Sequence, residues 1–199
     1  KVVTNDNGGT QLATAWTLTA TGSGTTPTNL SGSTPVNSDS TFKAGTYTLG
    51  ESGPSGYTAS SWNCTGVTNT DNSITLGVGQ SATCTITNDD NKPSLTLNKV
   101  VVNDNAGSAL ESAWTISAVG TLTEPTNLSG PGAVGVADVV SGNDFKADTY
   151  TLSESAGPSG YTQGQWSCVK NGGQAVTGNT ITIALGDNAT CTIINNDVA

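Results

Sequence analysis

Lysine, glutamate and asparagine recur in this chain at positions from which a β-sandwich would turn their side chains inward. Lys99 follows Leu95 and Leu97 at two-residue intervals, so strand alternation places all three side chains on one face. Glu154 and Asn195 are likewise preceded by apolar residues at every second position. Burying a lone charged group is costly. We therefore expect these three polar side chains to meet inside the domain.

These residue types could form a covalent bond. An amine in an apolar site has a lowered pKa and, once neutral, can attack a neighbouring carboxamide. A carboxyl group beside it can hydrogen-bond the amide oxygen and carry protons while ammonia leaves. We predict that Lys99 is the nucleophile, Glu154 the proton shuttle and Asn195, rather than its neighbour Asn196, the electrophile. The alternatives are a buried network without a bond, or solvated side chains at strand ends.

The sequence repeats itself almost from end to end. The segment that begins Lys-Val-Val-Thr-Asn-Asp-Asn at Lys1 returns as Lys-Val-Val-Val-Asn-Asp-Asn at Lys99, and matching runs continue through both copies. The second trio therefore consists of Lys1, Glu51 and Asn88. Copy one begins at the lysine and has no counterpart of residues 94–98, a strand that we expect to be encoded upstream.

The repeat and the composition predict the fold. Each copy alternates short β-prone runs with turns rich in Gly, Pro, Asn and Asp, charged residues make up only 11% of the chain, and no sustained helical period occurs. We predict an all-β protein of two tandem Ig-like β-sandwich domains. The polar stretch before Pro93 marks the boundary, which gives domains at residues 1–90 and 91–199.

Four cysteines fall into two similarly spaced pairs, Cys64 with Cys84 and Cys168 with Cys191. This pattern predicts one structural disulfide per domain and an oxidising compartment. A zinc site is not expected, because the chain has no histidine and no CxxC spacing.

The chain resembles the prealbumin-like modules of the CNA-B or SpaA type found in Gram-positive surface proteins and pilins. The resemblance rests on the lysine of the first strand, the Tyr-Thr-Leu-x-Glu run and the asparagine of the last strand, and it covers both copies. It implies spontaneous intramolecular isopeptide bonds between Lys1 and Asn88 and between Lys99 and Asn195, with Glu51 and Glu154 assisting. The cysteines are not part of the usual isopeptide motif.

Charge and motifs exclude several function classes. A net charge of −9 with only six basic residues does not suit nucleic acid binding, and no apolar run is long enough to cross a bilayer. Nucleophile elbows, phosphate loops and histidines are absent from the sequence. We therefore predict a secreted or cell-surface structural spacer rather than an enzyme, with self-directed, single-turnover chemistry and with neighbouring repeats of the same or identical chains as partners.

Three alternatives remain at this stage. Calcium could find oxygen ligands in the Asn-Asp-Asn segments at 5–7 and 103–105 and in the Asp-Asp-Asn segment at 89–91, although such residues also favour turns. No other cofactor is expected. An adhesin could hold a ligand at Trp62 or in the region 119–143, although the tryptophans are more simply explained by packing in the core or against the disulfides. A filament subunit could assemble by donating a strand.

Overall fold

The computed structural model describes residues 1–133 and 138–199 of the chain. Residues 134–137, which lie within the region 119–143 considered above as a ligand-binding loop, are outside the described residues. The chain divides into two compact units, Lys1–Asn91 (unit 1) and Lys92–Ala199 (unit 2). Almost all regular structure is β, as the composition predicts, and the two helices are 3-10 turns at Ala13–Ala15 and Glu111–Ala113.

Unit 2 is a sandwich of two sheets. Its strands are β11 (Ser94–Val102), β12 (Thr115–Gly120), β13 (Leu128–Pro131), β14 (Val139–Val140), β15 (Asp148–Glu154), β16 (Tyr161–Gln163), β17 (Ser167–Lys170), β18 (Val176–Thr177), β19 (Thr180–Ile183) and β20 (Asn188–Asp197). One sheet has the order β14-β11-β20-β17-β18, with β16 also paired to β20, and the other has the order β13-β12-β15-β19.

The first and last strands of unit 2 lie side by side. β11 and β20 pair in parallel over nine positions, from Ser94 opposite Asn188 to Val102 opposite Asn196. Alternate residues of both strands point into the core, where Leu95 and Leu97 are fully buried because each inward position is apolar until the lysine. The ends of the unit therefore meet in one sheet.

Unit 1 repeats this plan with shorter strands. They are β1 (Val2–Thr4), β2 (Thr17–Gly22), β3 (Leu30–Gly32), β4 (Gly45–Ser52), β5 (Tyr57–Ala59), β6 (Asn63–Thr65), β7 (Asn69–Thr70), β8 (Ser73–Leu76), β9 (Thr83–Thr85) and β10 (Thr87–Asp90). The sheet β3-β2-β4-β8-β7 corresponds to the second sheet of unit 2, whereas the other layer is divided into β1-β10-β5 and the pair β6-β9.

The cores of the two units differ in continuity. In the described part of the chain, the buried apolar residues of unit 2 other than Trp114 form one cluster, whereas those of unit 1 fall into two clusters, one around Tyr47 and one around Trp16. Among the described residues, no helix has the length and hydrophobicity that crossing a membrane requires.

The half-buried carboxylate of Asp148, at the start of the strand β15 that ends at Glu154, holds the loop that follows β12. Partial burial raises the pKa of the Asp148 carboxyl, whereas hydrogen bonds from the Thr121 hydroxyl and from the backbone amides of Leu122 and Thr149 lower it. The hydrogen bonds outweigh the burial, so the pKa lies below its ordinary value of 3.8. A carboxyl with a lowered folded pKa stabilises the fold above its unfolded pKa, and this contribution is lost as the pH falls through the folded pKa.

We therefore expect unit 2 of the Asp148→Asn variant to lose less stability than the parent when the pH is lowered from about 5 to about 2. Urea unfolding followed across this range measures the slope. Asp144→Asn, at an exposed position four residues earlier, is the control and should keep the parental slope. An unchanged slope in Asp148→Asn would show that this carboxylate does not couple folding to pH.

Candidate functional site

Three strands bring Lys99, Glu154 and Asn195 together inside unit 2. Lys99 lies opposite Ile193, and Asn195 lies opposite Val101, in the parallel β11–β20 pair, so the two side chains project from neighbouring strands two positions apart. Glu154 ends β15 in the other sheet. Lys99 and Asn195 are 3% and 2% exposed, whereas the adjacent Asn196 is exposed.

The Glu154 carboxylate contacts both of its neighbours in the trio. Its Oε2 lies 3.1 Å from the Lys99 Nζ, and its Oε1 accepts a hydrogen bond of 2.9 Å from the Asn195 Nδ2. One carboxylate thus touches the amine and the amide nitrogen, which are the two groups that must exchange a proton if ammonia is to leave. This geometry differs from the sequence prediction, in which the glutamate hydrogen-bonds the amide oxygen, because the Glu154 Oε1 accepts a hydrogen bond from the amide nitrogen instead.

Burial shifts the Lys99 amine toward its neutral form. Burial lowers the pKa of Lys99, although the nearby carboxylates of Glu154, Glu111 and Asp138 act in the opposite direction. The Lys99 Nζ lies 4.8 Å from the centre of the Trp114 ring, and this ring is 2% exposed. The indole therefore shields the amine from water on one side.

The backbone at Lys99 is anchored too. Its amide donates a short hydrogen bond to the Asp138 carboxylate, which also accepts a hydrogen bond from the amide of Ala133. Asn195 presents its Oδ1 into the same buried site, and among the described residues this oxygen has no hydrogen-bond partner. A buried acceptor without a partner is uncommon in folded proteins.

The equivalent trio of unit 1 has the same plan. The Lys1 Nζ lies 2.7 Å from the Glu51 Oε2 and 4.6 Å from the centre of the Trp16 ring. Asn88 is 3% exposed and lies opposite Val3 in the parallel β1–β10 pair, which is the position of Asn195 in unit 2. Its Oδ1 is also without a hydrogen-bond partner among the described residues.

Both cysteine pairs form disulfides, Cys64 with Cys84 and Cys168 with Cys191. Each disulfide joins residues directly opposite each other on antiparallel strands, β6 with β9 and β17 with β20. A cross-link that closes a loop of 20 or 23 residues stabilises a fold by about 3 kcal/mol in the chain-entropy model. The disulfide of unit 2 thus secures the strand that carries Asn195.

The acidic segments considered for calcium lie at loops that are tied to the last strand of each unit. Carboxylate oxygens of Asp6, Asp89 and Asp90 lie within 4.8 Å of one another, and burial and these neighbouring carboxylates raise the pKa of Asp6. The Asp90 carboxylate also accepts hydrogen bonds from the backbone amides of Asp6, Asn7 and Gly9. Calcium binding here stays an untested alternative.

Sequence reasoning missed the role of two tryptophans. Trp16 and Trp114 precede β2 and β12 and cover the lysines, whereas the sequence suggested only packing in the core or against a disulfide. A Cβ on Gly157 would collide with the Trp114 indole, so the Gly-Pro-Ser-Gly turn packs directly on this ring. The matching Ala-Trp-Thr and Gly-Pro-Ser-Gly runs of both copies are the sequence signal for this arrangement.

A search of solved structures finds chains similar to this one. One is a major pilin of Streptococcus pyogenes, with 14% sequence identity, a TM-score of 0.48 and coverage of 100% of this chain and 96% of that chain. Another is the T3.2 major pilin of the same species, with 16% identity, a TM-score of 0.48 and coverage of 98% of this chain and 96% of that chain. A third is a C-terminal fragment of the pilus adhesin SpaC from Lactobacillus rhamnosus GG, with 16% identity, a TM-score of 0.48 and coverage of 100% of this chain and 96% of that chain. No curated protein matches the sequence.

A family model matches nearly the whole chain. The SpaA-type model described as a prealbumin-like fold domain matches residues 1–86 and again residues 90–193. Each match falls almost entirely within one unit and includes the lysine and the glutamate of that unit. The chain therefore belongs to the prealbumin-like fold domain family and contains two copies of the domain.

Proposed function

We propose that the chain is a pair of stalk domains of a cell-surface protein, each locked by an isopeptide bond between its first and last strands. The observation that carries the proposal is the Glu154 carboxylate, which contacts the Lys99 amine and the Asn195 amide nitrogen at once. The resemblance to surface and pilus modules and the two disulfides both fit an extracellular location.

The bond would form by transfer of one acyl group. The Lys99 amine gives a proton to Glu154, and the neutral Nζ attacks the Asn195 Cγ. Glu154 then delivers this proton to the departing Nδ2 and takes a second proton from the Nζ, the Cγ–Nδ2 bond breaks, and ammonia leaves. Transfer of the second proton from Glu154 to ammonia returns the carboxylate to its starting state, and the products are one secondary amide and one ammonium ion.

Such a bond would change how the domain carries force. β11 and β20 lie side by side, so the bond would connect the two ends of unit 2 and close a loop of roughly 100 residues. Tension applied to the chain ends would pass through the amide, and the hydrogen bonds of the intervening strands would carry little of it. This property suits a rigid spacer.

Intact-mass measurement of the denatured chain tests the proposal. We expect a mass lower than that of the sequence by two ammonia molecules and four hydrogens, because two isopeptides and two disulfides form. Reduction should return only the four hydrogens. Lys99→Ala should return one ammonia mass. A parent chain that keeps both ammonia masses would overturn the locking function and leave the trio as a non-covalent network.

A further inference from the structure

The strand that carries the lysine of unit 2 is paired differently on its two edges. β20 pairs with β11 along the whole strand, whereas β14 pairs with the opposite edge only at Thr96 and Leu97. The Lys99 amide lies on this second edge, two residues beyond the last of these pairs, and its hydrogen bond goes to the Asp138 carboxylate. A side chain therefore takes over from the strand at the position where the lysine begins.

The Asp138 carboxylate ties two stretches of backbone together. Asp138 directly precedes β14, and while one of its oxygens binds the Lys99 amide, the other accepts a hydrogen bond of 2.9 Å from the Ala133 amide. Hydrogen bonds to an ionised acceptor are roughly twice as strong as neutral ones. The backbone of the lysine is thus held by a strong contact although no strand pairs with it on this edge.

The residue before Ala133 packs on the lysine itself. A Cβ on Gly132 would collide with the Glu111 carbonyl oxygen and would lie 2.8 Å from the Lys99 Cβ. The Gly132 amide also donates a hydrogen bond of 3.0 Å to the Trp114 carbonyl. Gly132 therefore closes the site at the base of the lysine side chain, and the Trp114 indole covers its amine.

We propose that Asp138 is a positioning residue for the bond of unit 2, because it fixes the backbone from which the Lys99 amine must reach Asn195. This inference rests on the proposed isopeptide function. Asp138 touches neither the amine nor the amide that react, and it acts only through the Lys99 backbone and the segment that packs on this residue. A shift of about 1 Å in the place of a reacting atom costs about a hundredfold in rate.

The charge of Asp138 acts in the opposite direction, which makes its two effects separable. Burial lowers the pKa of Lys99, and the carboxylates of Glu154, Glu111 and Asp138 raise it. Removing the Asp138 charge therefore leaves more of the amine neutral and, by itself, speeds the reaction below the Lys99 pKa. Loss of positioning instead slows the reaction at every pH, including the high pH at which the amine is already neutral.

The test measures bond formation in Asp138→Ala as a function of pH. Full chains recovered unfolded from inclusion bodies are refolded by dilution, and mass spectrometry with peptide mapping times the loss of ammonia from Asn195. We expect the rate on the high-pH plateau to fall about tenfold or more. Asp138→Asn keeps an acceptor for one of the two amides and should restore part of this rate, which also keeps the comparison informative if Asp138→Ala folds poorly.

Asp148→Ala is the matched control, because the Asp148 carboxylate also binds backbone amides of unit 2 but lies in the other sheet. This variant should lose stability and keep the parental plateau rate, and ammonia loss from Asn88 provides a reference within each chain. Parental plateau rates in both Asp138 variants, or an equal fall in Asp148→Ala, would overturn the inference alone. A parent chain that loses no ammonia from unit 2 would overturn the isopeptide function and the inference with it.

Discussion

In a chain that carries Glu154→Gln, we expect Asn195 to retain its amide nitrogen, so that no ammonia is lost from unit 2. We expect this unit to unfold at a temperature roughly 20 °C lower than in the parent chain. Glutamine preserves the shape of the side chain and can still hydrogen-bond Asn195, but it cannot accept the proton of the Lys99 amine. A cross-link that closes a loop of roughly 100 residues contributes about 4 to 5 kcal/mol in the chain-entropy model. In a domain of this size each kcal/mol shifts the unfolding temperature by about 4 °C.

Mass spectrometry of the reduced, denatured chain and calorimetry measure the two effects. Glu124→Gln, an exposed glutamate of the same unit, is the matched control and should lose ammonia as the parent does. The unit 1 site provides a second reference within each molecule. Complete ammonia loss at Asn195 in the Glu154→Gln chain would show that another group moves the proton.

Trp114→Ala is expected to lower the stability of unit 2 by about 3 to 5 kcal/mol, the usual cost of removing a buried tryptophan, and to slow bond formation. Without the indole, water reaches the Lys99 Nζ, and the desolvation that lowers its pKa is reduced. A larger fraction of the amine is then protonated and cannot attack. The rate of ammonia loss at neutral pH should fall and should recover as the pH is raised.

Trp166→Ala separates the two effects, because Trp166 is also a buried tryptophan of unit 2, 4% exposed, and packs in its core cluster. We expect a similar loss of stability with ammonia loss at the parental rate. Trp114→Phe retains an aromatic ring and should fold with an intermediate rate, which keeps the comparison informative if Trp114→Ala is poorly folded. Identical rates and pH profiles in the Trp114 and Trp166 variants would assign both tryptophans to packing alone.

Much of the fold follows from alternation along the strands. Apolar residues at every second position from Leu95 and from Tyr150 predict which side chains point inward, and the same rule separates the buried Asn195 from the exposed Asn196. The repeat transfers each inference from one copy to the other. Period-2 patterning is reliable here because both sheets bury one face.

Other features depend on distances across the sandwich, which alternation does not encode. The sequence does not indicate that the Asp197 carboxylate binds the backbone amides of Asp104, Asn105 and Gly107, or that Trp114 covers Lys99. Both contacts join residues from different strands and loops.

The pairing of β11 with β20 sets the earliest moment at which the lock can close during biosynthesis. β20 is the last strand of unit 2 to be synthesised, and Asn195 reaches its position beside Lys99 only when that strand has paired with β11. Long-range pairing of this kind is a late event in folding. The proposed bond would therefore form only after the whole domain has been released and folded, and a chain threaded end-first through an export channel would pass it as an uncrosslinked strand.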